Sequence, residues 1–137
     1  MAARFDSIEL VVTDMEASLR FYRRLGMSIP EDAGSEGHVA VELPGGVRIQ
    51  FDTEEIMQSF SDWTPPQRGG GHRIALAFAC DSPTDVDTVY AQLVESGAPS
   101  HLEPMDAFWG QRYATVLDPD GNSVDLFASL EDTAPQG

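Results

Sequence analysis

In the first half of the chain, apolar and polar residues alternate along residues 8–12, 39–43 and 47–51. Successive side chains of a strand point to opposite faces, so this alternation predicts three strands, each with one apolar face. Apolar residues recur at helical spacing within residues 14–26, which predicts a helix that begins at an aspartate cap and ends at a glycine. Residues 27–31 are predicted to form a short, irregular strand. The order of elements is therefore β-α-β-β-β.

The second half of the chain repeats this order. Alternation along residues 74–78 predicts a strand, and a Ser-Pro-Thr-Asp start predicts a helix over residues 82–97 that again ends at a glycine. A weak strand is predicted at residues 100–103. The sequence Asp-Pro-Asp-Gly at residues 118–121 is typical of a tight turn, and its flanks are rich in β-branched and aromatic residues. Those flanks therefore predict a hairpin.

The two halves match in detail, because the sequence after Gly46 resembles the sequence after Gly121 and both helices have the same length. A half of about 60 residues is marginally stable alone. We therefore predict one α+β domain over residues 1–137, in which two βαβββ modules curl their strands around a cavity and place their helices outside. The modules are residues 5–52 and 72–128.

Residues 53–71 are predicted to link the modules, because they contain two adjacent prolines and three adjacent glycines. Ile56, Met57, Phe60 and Trp63 could form one short amphipathic turn within this linker. The single cysteine, Cys80, falls in a predicted strand segment, where a buried structural thiol is expected rather than a reactive one.

The chain is acidic, with 23 acidic and 8 basic residues and a net charge of −15 at pH 7. This charge repels phosphate backbones and anionic membranes, so we expect neither nucleic-acid binding nor membrane binding. It would attract a cationic small molecule, although acidity can also serve solubility alone. No apolar run approaches the roughly 18 residues of a membrane span, and the N-terminus lacks the apolar core of a signal peptide. A cytoplasmic location is expected.

Four stretches resemble the vicinal oxygen chelate superfamily, which comprises glyoxalases, bleomycin-resistance proteins and ring-cleaving dioxygenases. They are residues 11–22 (VVTDMEASLRFY), 25–26 (LG), 109–113 (WGQRY) and 118–127 (DPDGNSVDLF). They follow the family order over nearly the whole chain. The resemblance implies the paired βαβββ fold and a homodimer, but it does not fix the chemistry.

The resemblance also implies where a family metal site would lie, namely at Ser7, Gln50, Arg73 and Asp125. Serine is a poor ligand for a divalent metal, glutamine is a modest one, and arginine cannot act as a ligand because it stays protonated. We therefore expect neither a metal nor another cofactor. His72 could replace Arg73 only if the strand slipped by one residue, because His72 shares a face with large apolar residues.

The same alternation predicts which side chains share the cavity face with these four positions. Four carboxylates do so, namely Glu9, Glu42, Asp52 and Asp125. Trp63 and Trp109 could stack on a planar or cationic ligand, although either could serve packing alone. The predicted ligand-binding residues are Ser7, Glu9, His38, Arg48, Gln50, Trp63, Arg73, Trp109 and Asp125. Any one charged residue among them could instead lie on an exposed rim or in a structural ion pair.

Three functions are compatible with these features. The first is a metal-independent protein that binds and sequesters a small molecule, similar to the acidic, dimeric bleomycin-resistance proteins. The second is a lyase, isomerase or dioxygenase of the same superfamily, either with an unusual metal site or with Asp125 as a metal-free base. The third is an accessory domain in which Arg48 and Arg73 are locked in ion pairs. If Arg73 held a ligand carboxylate, the ligand would be a zwitterion or an anion. The first function is the one we predict.

Overall fold

A computed structural model of the chain describes residues 5–66 and 74–130. The chain divides into two compact units, residues 1–70 and residues 71–137, called unit 1 and unit 2 below. Each unit contains its own β-sheet, and the two sheets have three and four strands. The predicted α+β class is confirmed.

Unit 1 is built around a three-stranded sheet in the order β1-β3-β2, with β1 and β3 parallel and β2 and β3 antiparallel. Its elements are β1 (Ser7–Val12), α1 (Met15–Arg24), a 3-10 turn (Ala33–Ser35), β2 (His38–Glu42), β3 (Arg48–Thr53) and α2 (Glu54–Phe60).

The first helix forms as its sequence predicts. The Asp14 carboxylate accepts a hydrogen bond from the Ala17 N–H at 3.0 Å, which satisfies one of the unpaired N–H groups of the first turn. Gly26, which follows the helix, has φ +95°, a conformation that glycine adopts without strain. The apolar stripe of α1 is buried, and the ring of Tyr22 lies 5.5 Å from that of Phe51 on β3.

One prediction for unit 1 was wrong. Residues 27–31 do not form a strand; Met27 and Ile29 are buried, and the Ile29 carbonyl accepts a hydrogen bond from the Arg23 guanidinium at 3.1 Å instead of a ladder bond. Within residues 53–71, Thr53 caps α2 by accepting a hydrogen bond from the Ile56 N–H. The amphipathic turn proposed there is therefore a helix of seven residues.

Unit 2 has the predicted βαβββ order. Its elements are β4 (Ala75–Ala79), α3 (Pro83–Glu95), β5 (Ser100–Asp106), β6 (Gln111–Leu117) and β7 (Ser123–Ser129). The sheet order is β4-β7-β6-β5, and β4 pairs with β7 in parallel as β1 pairs with β3 in unit 1. The buried residues Val86 and Leu93 of α3 face a core that includes Val116, Val124 and Leu126. Burial of these side chains is the main term that stabilises the sheet.

The turn between β6 and β7 is organised by Asp118, whose side chain is almost fully buried. One of its carboxylate oxygens accepts hydrogen bonds from the N–H groups of Asp120 and Asn122, at 2.9 and 2.8 Å. The other oxygen accepts a bond from the Asn122 amide at 2.9 Å. Gly121 has φ +85°. The predicted hairpin is confirmed, and its turn fixes the relative register of β6 and β7.

No helix within the described residues is both long enough and apolar enough to cross a bilayer.

Candidate functional site

The strand register of unit 1 collects polar side chains on one face of its sheet. Glu9 lies opposite Gln50, and Val11 lies opposite Asp52, which in turn lies opposite His38. Directly opposed residues of a sheet point to the same face. The shared face that alternation predicts for the residues of these three strands is therefore present.

Ser7 and Gln50, two of the positions that correspond to family metal ligands, bond to each other. The Gln50 amide nitrogen donates to the Ser7 hydroxyl oxygen at 2.7 Å. This bond uses a lone pair of the hydroxyl, which is already a poor metal ligand. Asp125 lies in unit 2, and Arg73 lies outside the described residues. Across residues 5–66 and 74–130, no group of three or more His, Cys, Asp or Glu side chains is arranged to hold a metal ion. The residues present do not fit the family metal.

Arg48 is engaged by an acidic residue that alternation does not select. Its guanidinium donates to the Asp6 carboxylate at 2.8 Å, and this hydrogen bond raises the pKa of Arg48 further above its ordinary value. Asp6 precedes the first strand and therefore has no place in the periodic pattern. The pair is partly exposed, so its contribution to stability is small.

Glu9, His38 and Asp52 form a cluster at the other end of this face. The His38 Nδ1 atom lies 2.6 Å from a carboxylate oxygen of Asp52. The Asp52 side chain is 7% exposed, whereas that of His38 is 51% exposed. A hydrogen bond to Asp52 is the largest cause that raises the pKa of Glu9 to about 6, followed by burial and the charge of Asp52, with His38 opposing them. The Glu9 carboxyl group therefore remains partly protonated at mildly acidic pH.

Unit 2 contains an open cleft of about 360 Å³ on the face of its sheet. Its wall combines apolar side chains with side chains that carry polar groups. The lining residues are Ile74, Ala75, His101, Leu102, Tyr113, Thr115, Ser123 and Asp125. All of them belong to β4, β5, β6 and β7 or to the residue just before β4.

Asp125 is the one carboxylate among the residues that line this cleft. It lies opposite Thr115 in the β6–β7 ladder, and the Thr115 hydroxyl donates to it at 2.8 Å. Tyr113 is also hydrogen-bonded to Asp125, and burial, followed by this bond, raises the pKa of the Tyr113 phenol above its ordinary value. The phenol therefore stays protonated at neutral pH and can act as a hydrogen-bond donor.

The two tryptophans have different surroundings. Trp109 is 49% exposed, donates from its indole nitrogen to Gln111 at 2.8 Å, and contacts the ring of Tyr113 edge-on at 5.3 Å. Because Tyr113 lines the cleft, this contact connects Trp109 to the cleft. Trp63 follows α2 in unit 1, is partly buried, and bonds the Ser61 hydroxyl through its backbone N–H.

Sequence reasoning missed three of the polar residues that line the cleft, namely His101, Tyr113 and Thr115. The last two could have been found, because extending the alternation from Asp125 across the predicted hairpin places Thr115 opposite Asp125 and Tyr113 two residues away on the same face. No signal pointed to His101. It lies where β5 and β6 shift register between Ser100 and Leu102, so simple alternation cannot assign its face.

A model of the glyoxalase/bleomycin resistance protein/dioxygenase superfamily matches residues 4–126 of this chain. The chain is 29% identical over 126 residues to an uncharacterized protein, Mb0911c, from Mycobacterium bovis; this match covers 88% of the chain and 80% of that protein.

Two solved structures illustrate the similarity of fold. A glyoxalase/bleomycin resistance protein/dioxygenase from Nocardioides matches with a TM-score of 0.70 and 25% identity, over 100% of this chain and 90% of that one. A glyoxalase-related enzyme from Fulvimarina pelagi matches with a TM-score of 0.75 and 22% identity, over 92% and 88% of the two chains.

Proposed function

The chain belongs to the glyoxalase/bleomycin resistance protein/dioxygenase superfamily, and from this premise we propose that it binds and sequesters a small molecule without a metal or other cofactor. The observation that carries this proposal is the cleft of unit 2, with Asp125 held between Thr115 and Tyr113. Its volume of about 360 Å³ lies within the range of roughly 300–1,000 Å³ that is usual for small-molecule sites.

The charge of the cleft favours a cationic ligand. Asp125 supplies a carboxylate, and no Lys or Arg is among the residues that line the cleft in the described part of the chain. The net charge of −15 also raises the local concentration of cations. A ligand ammonium would pair with Asp125 while an apolar or aromatic part lies against Leu102 and Ala75. The ring of Trp109 contacts that of Tyr113, so the fluorescence of Trp109 should change when a ligand binds.

Metal independence is supported by the chemistry of the residues at the family metal positions. Ser7 and Gln50 satisfy each other through a hydrogen bond. The Thr115 hydroxyl donates a hydrogen bond to Asp125 and so orients the carboxylate. A carboxylate oriented in this way can bind an organic ligand and does not require a metal ion. Neither arrangement supplies the three good ligands that a tight divalent site requires.

We further propose that the protein is a homodimer and acts in the cytoplasm without binding nucleic acid or membranes. Phe108 is 96% exposed beside the half-exposed Trp109, and such adjacent apolar surface is typical of protein interfaces. Sedimentation equilibrium would test the dimer, and a mass equal to one chain at micromolar concentration would contradict it.

The binding proposal is tested by titrating the protein with ethidium, a planar aromatic cation, and with anilinonaphthalenesulfonate, an aromatic anion. In a Trp63→Phe background, Trp109 is the only tryptophan, so quenching reports on unit 2 alone. We expect ethidium to bind, the anion to bind at least about tenfold more weakly, and Asp125→Asn to weaken ethidium binding by about 10- to 100-fold.

The matched control is Glu95→Gln, which removes an exposed carboxylate at the end of α3 and should leave affinity unchanged. Equal binding of both dyes, or full ethidium affinity in Asp125→Asn, would contradict the proposal.

A metal-independent enzyme is the second candidate function. It is favoured by the pairing of a half-exposed histidine with a buried aspartate in unit 1.

A further inference from the structure

The face of unit 1 holds a second group of chemically active side chains that the ligand cleft of unit 2 does not use. Glu9, His38 and Asp52 come from β1, β2 and β3 and meet on one face of the sheet. The cluster lies within unit 1, so the inference below does not rest on the proposed ligand binding.

The geometry of His38 and Asp52 selects one form of the imidazole. The Nδ1 atom lies 2.6 Å from the Asp52 carboxylate, so in the neutral ring the proton resides on Nδ1 and is donated to Asp52. The lone pair then belongs to Nε2. Within the described ranges, Nε2 has no hydrogen-bond partner, and about half of the side chain is exposed. A buried carboxylate that holds Nδ1 while Nε2 faces solvent is the arrangement of a general base.

We propose that His38 and Asp52 form a proton-transfer site for a small, neutral or cationic molecule that carries a weakly acidic proton. The Nε2 lone pair takes this proton, and the bonding electron pair stays on the substrate. Asp52 stabilises the imidazolium ion that forms, and Nε2 then returns the proton to the rearranged product or to water. His38 is the catalytic residue in this proposal, and Asp52 is the positioning residue.

The charges around the pair explain the substrate class. Besides Glu9, His38 and Asp52, the same face carries Glu42 on β2 and Arg48 on β3, and Arg48 is neutralised by Asp6. The helix α2, which contacts β1 and β3, contributes Glu54 and Glu55. This surplus of carboxylates repels anions and attracts cations.

Glu9 is a second titratable group beside His38 and Asp52. Its hydrogen bond to Asp52 requires a proton between the two carboxyl groups, and that proton is lost as the pH rises through about 6. The proposal itself rests on the contact between His38 and Asp52 and on the exposure of the His38 ring.

The test uses 5-nitrobenzisoxazole, a neutral compound from which a base removes the ring C–H proton. The electron pair breaks the N–O bond and yields a coloured cyanonitrophenolate, so no co-reactant is needed. We expect a wild-type rate above that of free imidazole at equal concentration, reduction to the background in His38→Gln, and a loss of at least about tenfold in Asp52→Asn. Asp62→Asn, which removes an exposed carboxylate of unit 1, is the matched control and should retain the wild-type rate.

A purely structural pair would give a different result. If His38 and Asp52 only join β2 to β3, both variants lower stability, but the wild-type rate does not exceed that of free imidazole. Should His38→Gln fail to fold, His38→Ala with added imidazole provides a second measurement, and restoration of the rate by imidazole supports the site. A wild-type rate equal to that of free imidazole, a His38→Gln protein as fast as the wild type, or no recovery with imidazole would overturn the proposal.

Discussion

Replacing Asp118 by alanine should destabilise unit 2 more than any other single change in the β6–β7 turn. The carboxylate accepts three hydrogen bonds, two from backbone N–H groups and one from the Asn122 amide, and the side chain is only 2% exposed. A hydrogen bond to a charged group contributes roughly 1.5 kcal/mol or more to stability. In the alanine variant, water can bond to the N–H groups that the carboxylate leaves, which offsets part of the loss. We therefore expect the free energy of unfolding to fall by about 3 kcal/mol.

Urea unfolding followed by circular dichroism would measure this loss. Asp118→Asn keeps one acceptor oxygen for the two N–H groups and should lose only about 1 kcal/mol. Pro119→Ala, which alters an exposed neighbour without a hydrogen bond to remove, should also lose no more than about 1 kcal/mol. If Asp118→Ala lost no more than Pro119→Ala, the carboxylate would not organise the turn, and the reasoning would fail.

Further outcomes are expected elsewhere in the chain. Because the pKa of Glu9 is raised to about 6 in the folded state, its contribution to stability is complete below about pH 4.5 and is lost as the pH rises through 6. Glu9→Gln should therefore be more stable than the wild type at pH 8. The gain should be at most about 1 kcal/mol, because the Glu9 side chain is largely exposed. Thermal unfolding at pH 4 and pH 8 would show whether the gain is confined to the higher pH. Thr115→Val removes the hydroxyl that donates to Asp125 and should weaken ethidium binding about tenfold. Thr115→Ser keeps a hydroxyl and should bind ethidium with the wild-type affinity. Equal affinities of the two variants would show that this hydrogen bond does not orient the carboxylate. Burial raises the pKa of the Cys80 thiol, so alkylation by iodoacetamide at pH 7.5 should be slower than that of a free cysteine, and an equal rate would contradict its partial burial.

Much of the fold follows from local patterns. The caps at Asp14 and Ser82 and the turn at Asp118 act within a few residues of themselves, so the sequence alone locates both long helices and the hairpin. The family resemblance implied that Ser7 and Gln50 lie close together, and the hydrogen bond between them agrees with that expectation. These features depend on geometry that repeats every two or 3.6 residues.

The features that sequence reasoning missed depend on contacts between distant residues. The strand expected at residues 27–31 is replaced by buried, irregular chain whose carbonyl groups bond Arg23. The partner of Arg48 is Asp6, which lies outside any periodic element. The pairing of His38 with Asp52 follows from a strand register that only the folded sheet specifies. Arg73 and His72 lie outside the described residues, so the choice between them stays a prediction.

The central claim is that this chain binds a cationic small molecule through Asp125 without a metal, and calorimetric titration of EDTA-treated protein with ethidium tests it most directly. We predict saturable binding that is unchanged by EDTA or by added zinc, nickel, manganese or iron(II), and that is weakened by about 10- to 100-fold in Asp125→Asn. Binding that disappears with EDTA and returns with one of these metals would contradict the claim.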